Sequence, residues 1–271
     1  MKEYLNKRYE LRFFENHQYR NEVWKILTKS FFQQYILSNS DILDIGCGWG
    51  EFINNIEGRR KIGIDLNEGT QKHLDPSIEF INQDCSNKWP LPDDSLDVVF
   101  TSNFIEHLPS KLHIEKTIIQ VKRCLRPNGR FICLGPNIKY LPGLYWDFWD
   151  HHIGITEMSL SELLKMHDFL LEECIAKFLP YTMAKKHPPP LFFLRLYLAF
   201  PLTWKILGKQ FLIISKNIKK TNKTFSWPLL LTCHSCRIIY MSDFIIDQRF
   251  FKILKLLNLK GYNLIVEMML E

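Results

Sequence analysis

Residues 41–50, Asp-Ile-Leu-Asp-Ile-Gly-Cys-Gly-Trp-Gly, bring three glycines and a carboxylate to one short stretch. The apolar run Ile42, Leu43 and Ile45 breaks into Gly46, Gly48 and Gly50, with Cys47 between, and a helix-like stretch follows from Glu51. Such a strand, running into a tight turn and a helix N-terminus, lets a ligand reach the main chain, because glycine accepts positive φ and has no side chain. Asp44 stands just before the first glycine. Its charge would repel a pyrophosphate and suits a ligand carrying an amino group and a sulfonium. Asp65, followed by Leu66, closes Lys-Ile-Gly-Ile-Asp-Leu, where an acidic side chain is placed to accept both hydroxyls of a ribose. Asp84-Cys85 closes a third apolar run, where the carboxylate either meets an adenine amino group or caps a turn.

Titratable side chains gather in two further places, Glu106-His107 and Asp150-His151-His152. Each follows an apolar run, so both belong at the carboxyl end of a sheet and could converge on one pocket. Each histidine has a plainer reading as a residue that ties its loop to the sheet. Tyr140, Tyr145, Trp146, Phe148 and Trp149 precede the second cluster; they would wall a pocket for a sugar or planar acceptor, or clasp the loop.

The elements that must position these groups follow from periodicity. Aromatic and aliphatic residues from Tyr4 to Tyr35 recur at helical spacing, which predicts helices within 1–38 that cover a sheet face, some of whose aromatics could also roof the site. From Asp41 the pattern alternates strand and helix, with strands at 41–46, 61–66, 79–84, 96–101 and 129–135 and helices near 49–56 and 110–125. Repeated βα units imply a parallel sheet covered on both faces. Asn128-Gly129 is a turn before the fifth strand. Ser159 with Glu162 reads as a capping box opening a helix to Phe169, and 171–179 and 210–216 are the last two strands. Between those strands the insert 180–209 carries a stiff His187-Pro-Pro-Pro190 spacer and an amphipathic stretch; it either packs on the core or meets a lipid-linked or bulky substrate. Residues 221–271 form a tail of different character, with Trp227, a single Cys233-His-Ser-Cys236 pair and a helix-like end from Asp243. One such cysteine pair without a second is weak grounds for zinc.

At 271 residues, 46% hydrophobic and 24% charged, the chain has the composition of a soluble globular protein with one main domain and additions. Seven cysteines in no framework spacing read as reduced thiols, and the N-terminus lacks the apolar core of a leader, so a cytoplasmic location is expected. The apolar stretch 191–214 is interrupted by Arg195, Pro201, Lys205 and Lys209, too often for a membrane span. The net charge of +6 suits an acidic substrate or a membrane surface, leaving peripheral membrane contact open. No basic, aromatic-interleaved strip points to nucleic acid. None of these features bears on oligomeric state.

Taken together, Leu43–Gly50, Gly63–Leu66, Gln83-Asp84, Leu91–Leu108 and Leu125–Phe131 resemble, in order and spacing, the class I S-adenosylmethionine-dependent methyltransferases of the type 11 group. Trp149–Leu160 extends the likeness. The resemblance implies an α/β, Rossmann-like, doubly wound and mostly parallel seven-stranded sheet whose last strand is antiparallel, spanning 1–220. It implies S-adenosylmethionine as cofactor, with Asp44 at the methionine end, Gly46–Gly50 and Cys47 lining the cofactor, Asp65 and Leu66 at the ribose, Asp84 and Cys85 at the adenine, and Ser102 and Asn103 beside the methionine moiety. Methyl transfer needs an in-line approach and a nucleophile that loses its proton, so Glu106, His107, His151 and His152 are the candidate catalytic residues. The acceptor would be a small or carrier-linked molecule, most readily at a hydroxyl, as in bacterial members linked to surface-glycan synthesis. Relatives that methylate small-RNA ends hold a divalent ion with Glu-x-x-Glu-His; here Asn103 stands at the first position, and no metal is expected. A catalytically silent scaffold with the same fold and a metal-dependent small-RNA 2′-O-methyltransferase are the remaining alternatives.

Overall fold

The computed structural model describes residues 2–181 and 189–219 together with the short strands 231–233 and 236–239. Met1–Lys220 and Thr221–Glu271 separate as two units. In the first, two helices, α1 (Lys2–Phe13) and α2 (His17–Ser30), precede the strands β1 (Asp41–Ile45), β2 (Arg60–Asp65), β3 (Glu79–Asn82) and β4 (Leu96–Ser102). Helix α3 (Lys111–Cys124), strand β5 (Leu125–Pro136), helix α4 (Glu157–Met166) and strand β6 (Phe169–Leu179) follow, then α5 (Leu191–Ala199), α6 (Leu202–Leu207) and β7 (Gln210–Asn217).

The sheet has the order β3-β2-β1-β4-β5-β7-β6. β1 to β5 pair in parallel, and β7 runs antiparallel between β5 and β6. This is the doubly wound architecture expected. β1 reads as an unbroken buried run because it is covered on both sides. Successive side chains alternate between faces: Leu43 and Ile45 pack with Ile118, Val121 and Leu160 under α3 and α4, whereas Ile42 packs with Val23, Trp24 and Leu27 under α2. Chain order reverses between β1 and β4, and the crevice outside their carboxyl ends is where a ligand of such a sheet belongs.

Three local expectations are corrected. No regular helix forms over 49–56; the chain makes consecutive turns there, and Asn54 and Asn55 give their side chains to His73 O and Asn21. Helix α4 starts earlier than Ser159, because Thr156 is its N-cap and Ser159 completes the capping box at the third helical position. β5 begins at Leu125, yet its pairing with β4 jumps from Leu125 to Arg130, so residues 126–129 loop out with Asn128 at φ 66°. The turn foreseen at Asn128-Gly129 is thus embedded in the strand. In the second unit an antiparallel ladder, β8 (Leu231–Cys233) with β9 (Cys236–Ile239), sets Cys233 opposite Cys236. Trp227, the helix-like end from Asp243 and the start of the Pro-rich spacer lie outside the described residues. No described helix is long and apolar enough to cross a membrane.

Candidate active site

β1 ends in the glycine turn. Gly46, Gly48 and Gly50 hold φ of 66°, 55° and 79°, the left-handed region in which a side chain is strained. Space opposes one as well: a Cβ on Gly46 would stand 2.2 Å from Phe104 Cδ2, and one on Gly48 would press on Tyr9 Cε1 at 3.3 Å. The turn is tied to β2. Gly46 N and Cys47 N donate to Ile64 O at 2.8 and 3.2 Å, and Gly48 N donates to Asp65 Oδ2 at 2.9 Å. The other oxygen of Asp65 accepts from Asn67 N at 2.8 Å. Trp49 is buried behind the turn, stacked on His73 at 4.4 Å and met edge-on by His17 at 5.0 Å.

Three buried carboxylates, Asp44, Glu51 and Asp65, stand close enough to feel one another. Glu51 has a counter-ion in Arg20 at 2.8 Å. Burial, then the charges of Glu51 and Asp65, hold the Asp44 carboxyl well above its ordinary range. Burial also raises Asp65, against the pull of the Asn67 and Gly48 N–H groups. The Cys47 thiol and the Tyr9 phenol are pushed well up by burial, with Asp65 as the next cause in each case. A cationic ligand would relieve this excess of negative charge. Two buried polar atoms here, Asn67 Nδ2 and Asn103 Oδ1, have no hydrogen-bond partner in the protein, as ligand-binding groups do when nothing is bound. Carboxylates, orphaned amides and a side-chain-free turn together fit the methionine and nucleoside ends of S-adenosylmethionine.

The remaining expected contacts flank this turn. Asn103, just past β4, sits at φ 48° and donates Nδ2 to Ser102 Oγ at 3.0 Å. Asparagine is among the few residues that tolerate that conformation. Asp84 Oδ1 caps its own turn by accepting from Ser86 N at 2.8 Å. Cys85 is buried against Thr117 at 3.4 Å, its thiol pushed by burial up to about 12. Leu66 is exposed at the rim.

The two titratable clusters do converge, on Glu106, His107 and His151. Each of the three offers a ligand atom within 4.8 Å of the others, a spacing one carboxylate and two imidazoles need to share a divalent ion. His107 Nδ1 lies 3.0 Å from Asp150 O and 3.1 Å from Asp150 Oδ2. Both are acceptors, so Nδ1 carries the hydrogen and the Nε2 lone pair of a neutral ring is left for a proton or a metal. Asp150 is held in turn by Arg8 Nη1 at 2.7 Å, reaching from α1. Burial lowers the His107 pKa, but the Asp150 hydrogen bond and the Glu106 charge outweigh it and the net shift is upward. Glu106 is buried and its carboxyl raised by that burial, with His107 pulling the other way. His151 packs between His107 at 4.8 Å and Phe148 at 5.0 Å. His152 does not join the cluster: its side chain is exposed, and its N–H donates to Glu106 O at 2.9 Å. Of the aromatic stretch, Tyr145 is buried and clasps the loop through Ile153 O, whereas Trp146 and Trp149 point outward.

Sequence reasoning named Tyr9 only among the helix aromatics and missed Arg8, Phe104 and Asn67. Arg8 and Asp150 are 142 positions apart, and no spacing rule links them. Asn67 was reachable, since an amide two residues after the ribose carboxylate is a natural Asx turn, and its Oδ1 does accept from Gly69 N at 2.9 Å.

Comparison with known proteins bears on the domain and its fold. A family described as methyltransferase domain matches residues 43–133. The chain is 32% identical over 146 residues to a probable S-adenosylmethionine-dependent methyltransferase of Mycolicibacterium smegmatis, covering 51% of this chain and 55% of that one. It is 28% identical over 148 residues to a ubiquinone/menaquinone biosynthesis C-methyltransferase of Bartonella tribocorum, covering 49% and 55%. The chain thus spans about half the length of these curated relatives. An S-adenosylmethionine-dependent methyltransferase of Archaeoglobus fulgidus superposes with a TM-score of 0.54 at 22% identity, over 75% of this chain and 98% of that one, which is a likeness of fold.

Proposed function

We infer, from a chain that carries a class I S-adenosylmethionine-dependent methyltransferase domain, that it methylates a hydroxyl on a small or carrier-linked acceptor with His107 as the base. The observation that carries this is the His107–Asp150 pair, because it fixes the hydrogen on Nδ1 and leaves Nε2 to take the acceptor's proton. When bound, S-adenosylmethionine supplies an electrophilic methyl group on a sulfonium. Asp44 would hold the amino end of that molecule, Asp65 and Asn67 its ribose, and Asn103 the methionine moiety. The buried Glu106 carboxylate stabilises the imidazolium that forms on His107. Tyr145 and Phe148 hold the loop that seats His151 and Asp150.

The matched C-methyltransferase favours a second reading, a ring carbon of a quinone-like acceptor, which needs the same base. A third, metal-assisted reading rests on the spacing of Glu106, His107 and His151. The test is formation of S-adenosylhomocysteine from an acceptor pool, with binding of S-adenosylmethionine followed by calorimetry. His107→Ala should lower turnover by about 10²–10⁴-fold and leave cofactor affinity unchanged. A variant with full turnover rejects the assignment. Turnover abolished by a chelator and restored by a divalent ion replaces the general-base reading with the metal-assisted one.

A further inference from the structure

We propose that the outward face of α5 and α6 seats this protein on an anionic lipid membrane. That face is apolar where a water-exposed helix should be polar. Phe192, Phe193, Phe200, Leu202, Ile206 and Leu207 are 63, 59, 60, 75, 78 and 55% exposed. With about 200 Å² for a fully exposed large apolar residue, they present on the order of 800 Å², above the few hundred Å² usual for the largest patch on a monomer.

The exposure is built in, because the opposite face is anchored. Tyr197 donates its hydroxyl to Phe178 O at 2.6 Å, and Trp204 Nε1 donates to Tyr197 O at 2.8 Å. The Trp204 ring packs on Phe178 and Phe31 at 5.0 and 5.9 Å. These helices cannot roll the phenylalanines inward without breaking that seam.

Charge selects the occupant. The described residues 189–219 carry Arg195, Lys205, Lys209, Lys216 and Lys219 and no Asp or Glu. Arg195 and Lys205 lie exposed within the helical pair, and Lys209 follows it. Bulky apolar side chains interleaved with cations and no anions are what an anionic bilayer surface takes up, the rings entering the acyl boundary and the cations staying among the headgroups. Nine and six residues are far too few to span a bilayer, so the pair lies in its plane.

The face also stands at the reacting end of the sheet. α5 and α6 connect the end of β6 to the start of β7, beside the end of β5: Lys209 N donates to Leu179 O at 2.8 Å, and Asn137 N donates to Lys209 O at 3.0 Å. Tyr181, just past β6, meets Phe148 at 5.9 Å, and Phe148 stacks on His151. A membrane held by this face therefore lies beside the histidine cluster.

Flotation of the full chain with phosphatidylcholine vesicles, with and without roughly 30 mol% phosphatidylglycerol, tests this. The expected result is binding to the phosphatidylglycerol vesicles that weakens several-fold in high salt, with little on neutral ones. The triple variant Phe192→Ser, Phe193→Ser, Ile206→Ser should bind at least about tenfold less at an unchanged melting temperature, since these side chains support no core. Arg195→Glu with Lys205→Glu should abolish the preference for anionic lipid. Equal binding to both vesicles, no binding at low salt, or binding untouched by the triple variant overturns the proposal. So does a concentration-dependent dimer in sedimentation that the triple variant dissolves while no vesicle is bound; the face would then join two copies of the chain.

Discussion

Replacing Asp44 by asparagine should stabilise the protein without ligand while removing its hold on S-adenosylmethionine. Asp44 is 3% exposed on the central strand, and burial followed by the Glu51 and Asp65 charges raises its carboxyl. A raised carboxyl means that the folded chain holds the proton more tightly than the unfolded chain. Stability at this position is therefore complete below the ordinary value of 3.8 and declines as pH rises toward the folded value. At neutral pH the side chain is a cost. The isosteric amide removes it, by about 1–3 kcal/mol if it behaves as other buried charges exchanged for neutral groups. In a domain of this size each kcal/mol moves the melting temperature by about 2–4 °C, so the ligand-free variant should melt a few degrees above the parent. With ligand the gap narrows or reverses. Losing a buried charge that faces an ammonium group costs about 2–5 kcal/mol, thus an affinity loss of thirtyfold or more. The parent gains about 2.7 kcal/mol at a hundredfold excess of ligand over Kd, and the variant gains little. Thermal melts with and without S-adenosylmethionine, with calorimetry for affinity, decide it. A ligand-free variant that melts below the parent, or one that binds within about threefold of it, refutes the electrostatic reasoning.

Affinity for S-adenosylmethionine should rise with pH and binding should release protons, because Asp44 and Asp65 are both raised in the free protein and a cation favours their ionised forms; calorimetry in buffers of different ionisation enthalpy measures this, and a pH-independent affinity contradicts it. Asp150→Asn should move the acid limb of the rate profile to lower pH, since Asp150 raises His107, and a limb that stays in place means that another group is the base. Tyr9→Ala should speed cofactor association in stopped-flow, because the ring lies on Gly48 beside Asp65, and an unchanged rate means that α1 does not stand in the way.

The sheet was legible because central strands covered on both faces read as unbroken apolar runs, as in Ile42 to Ile45 and Val98 to Phe100. The glycine turn was legible because backbone conformation and close approach leave residue type little freedom. The capping box was found one turn late, since Thr156 and Ser159 both have the chemistry of a cap and only the register of the helix separates them. What was not legible is contact across the fold. His107 and Asp150 could be placed at the same end of the sheet, but not at 3.1 Å, and the Arg8 that steadies Asp150 belongs to a helix whose pattern reads only as cover.

That helix links the two halves of the site. α1 lays Tyr9 over the glycine turn and, one residue earlier, Arg8 on Asp150. Adjacent residues on a helix point about 100° apart, so the pair straddles the crest of α1, one side chain toward the cofactor pocket and the next toward the histidine cluster. The carboxylates are divided the same way: Asp44, Glu51 and Asp65 collect where a cation belongs, while Asp150 and Glu106 flank the imidazole on which a positive charge would develop. On the proposed function, the first set would lie along a cationic cofactor and the second beside the imidazolium that forms on His107.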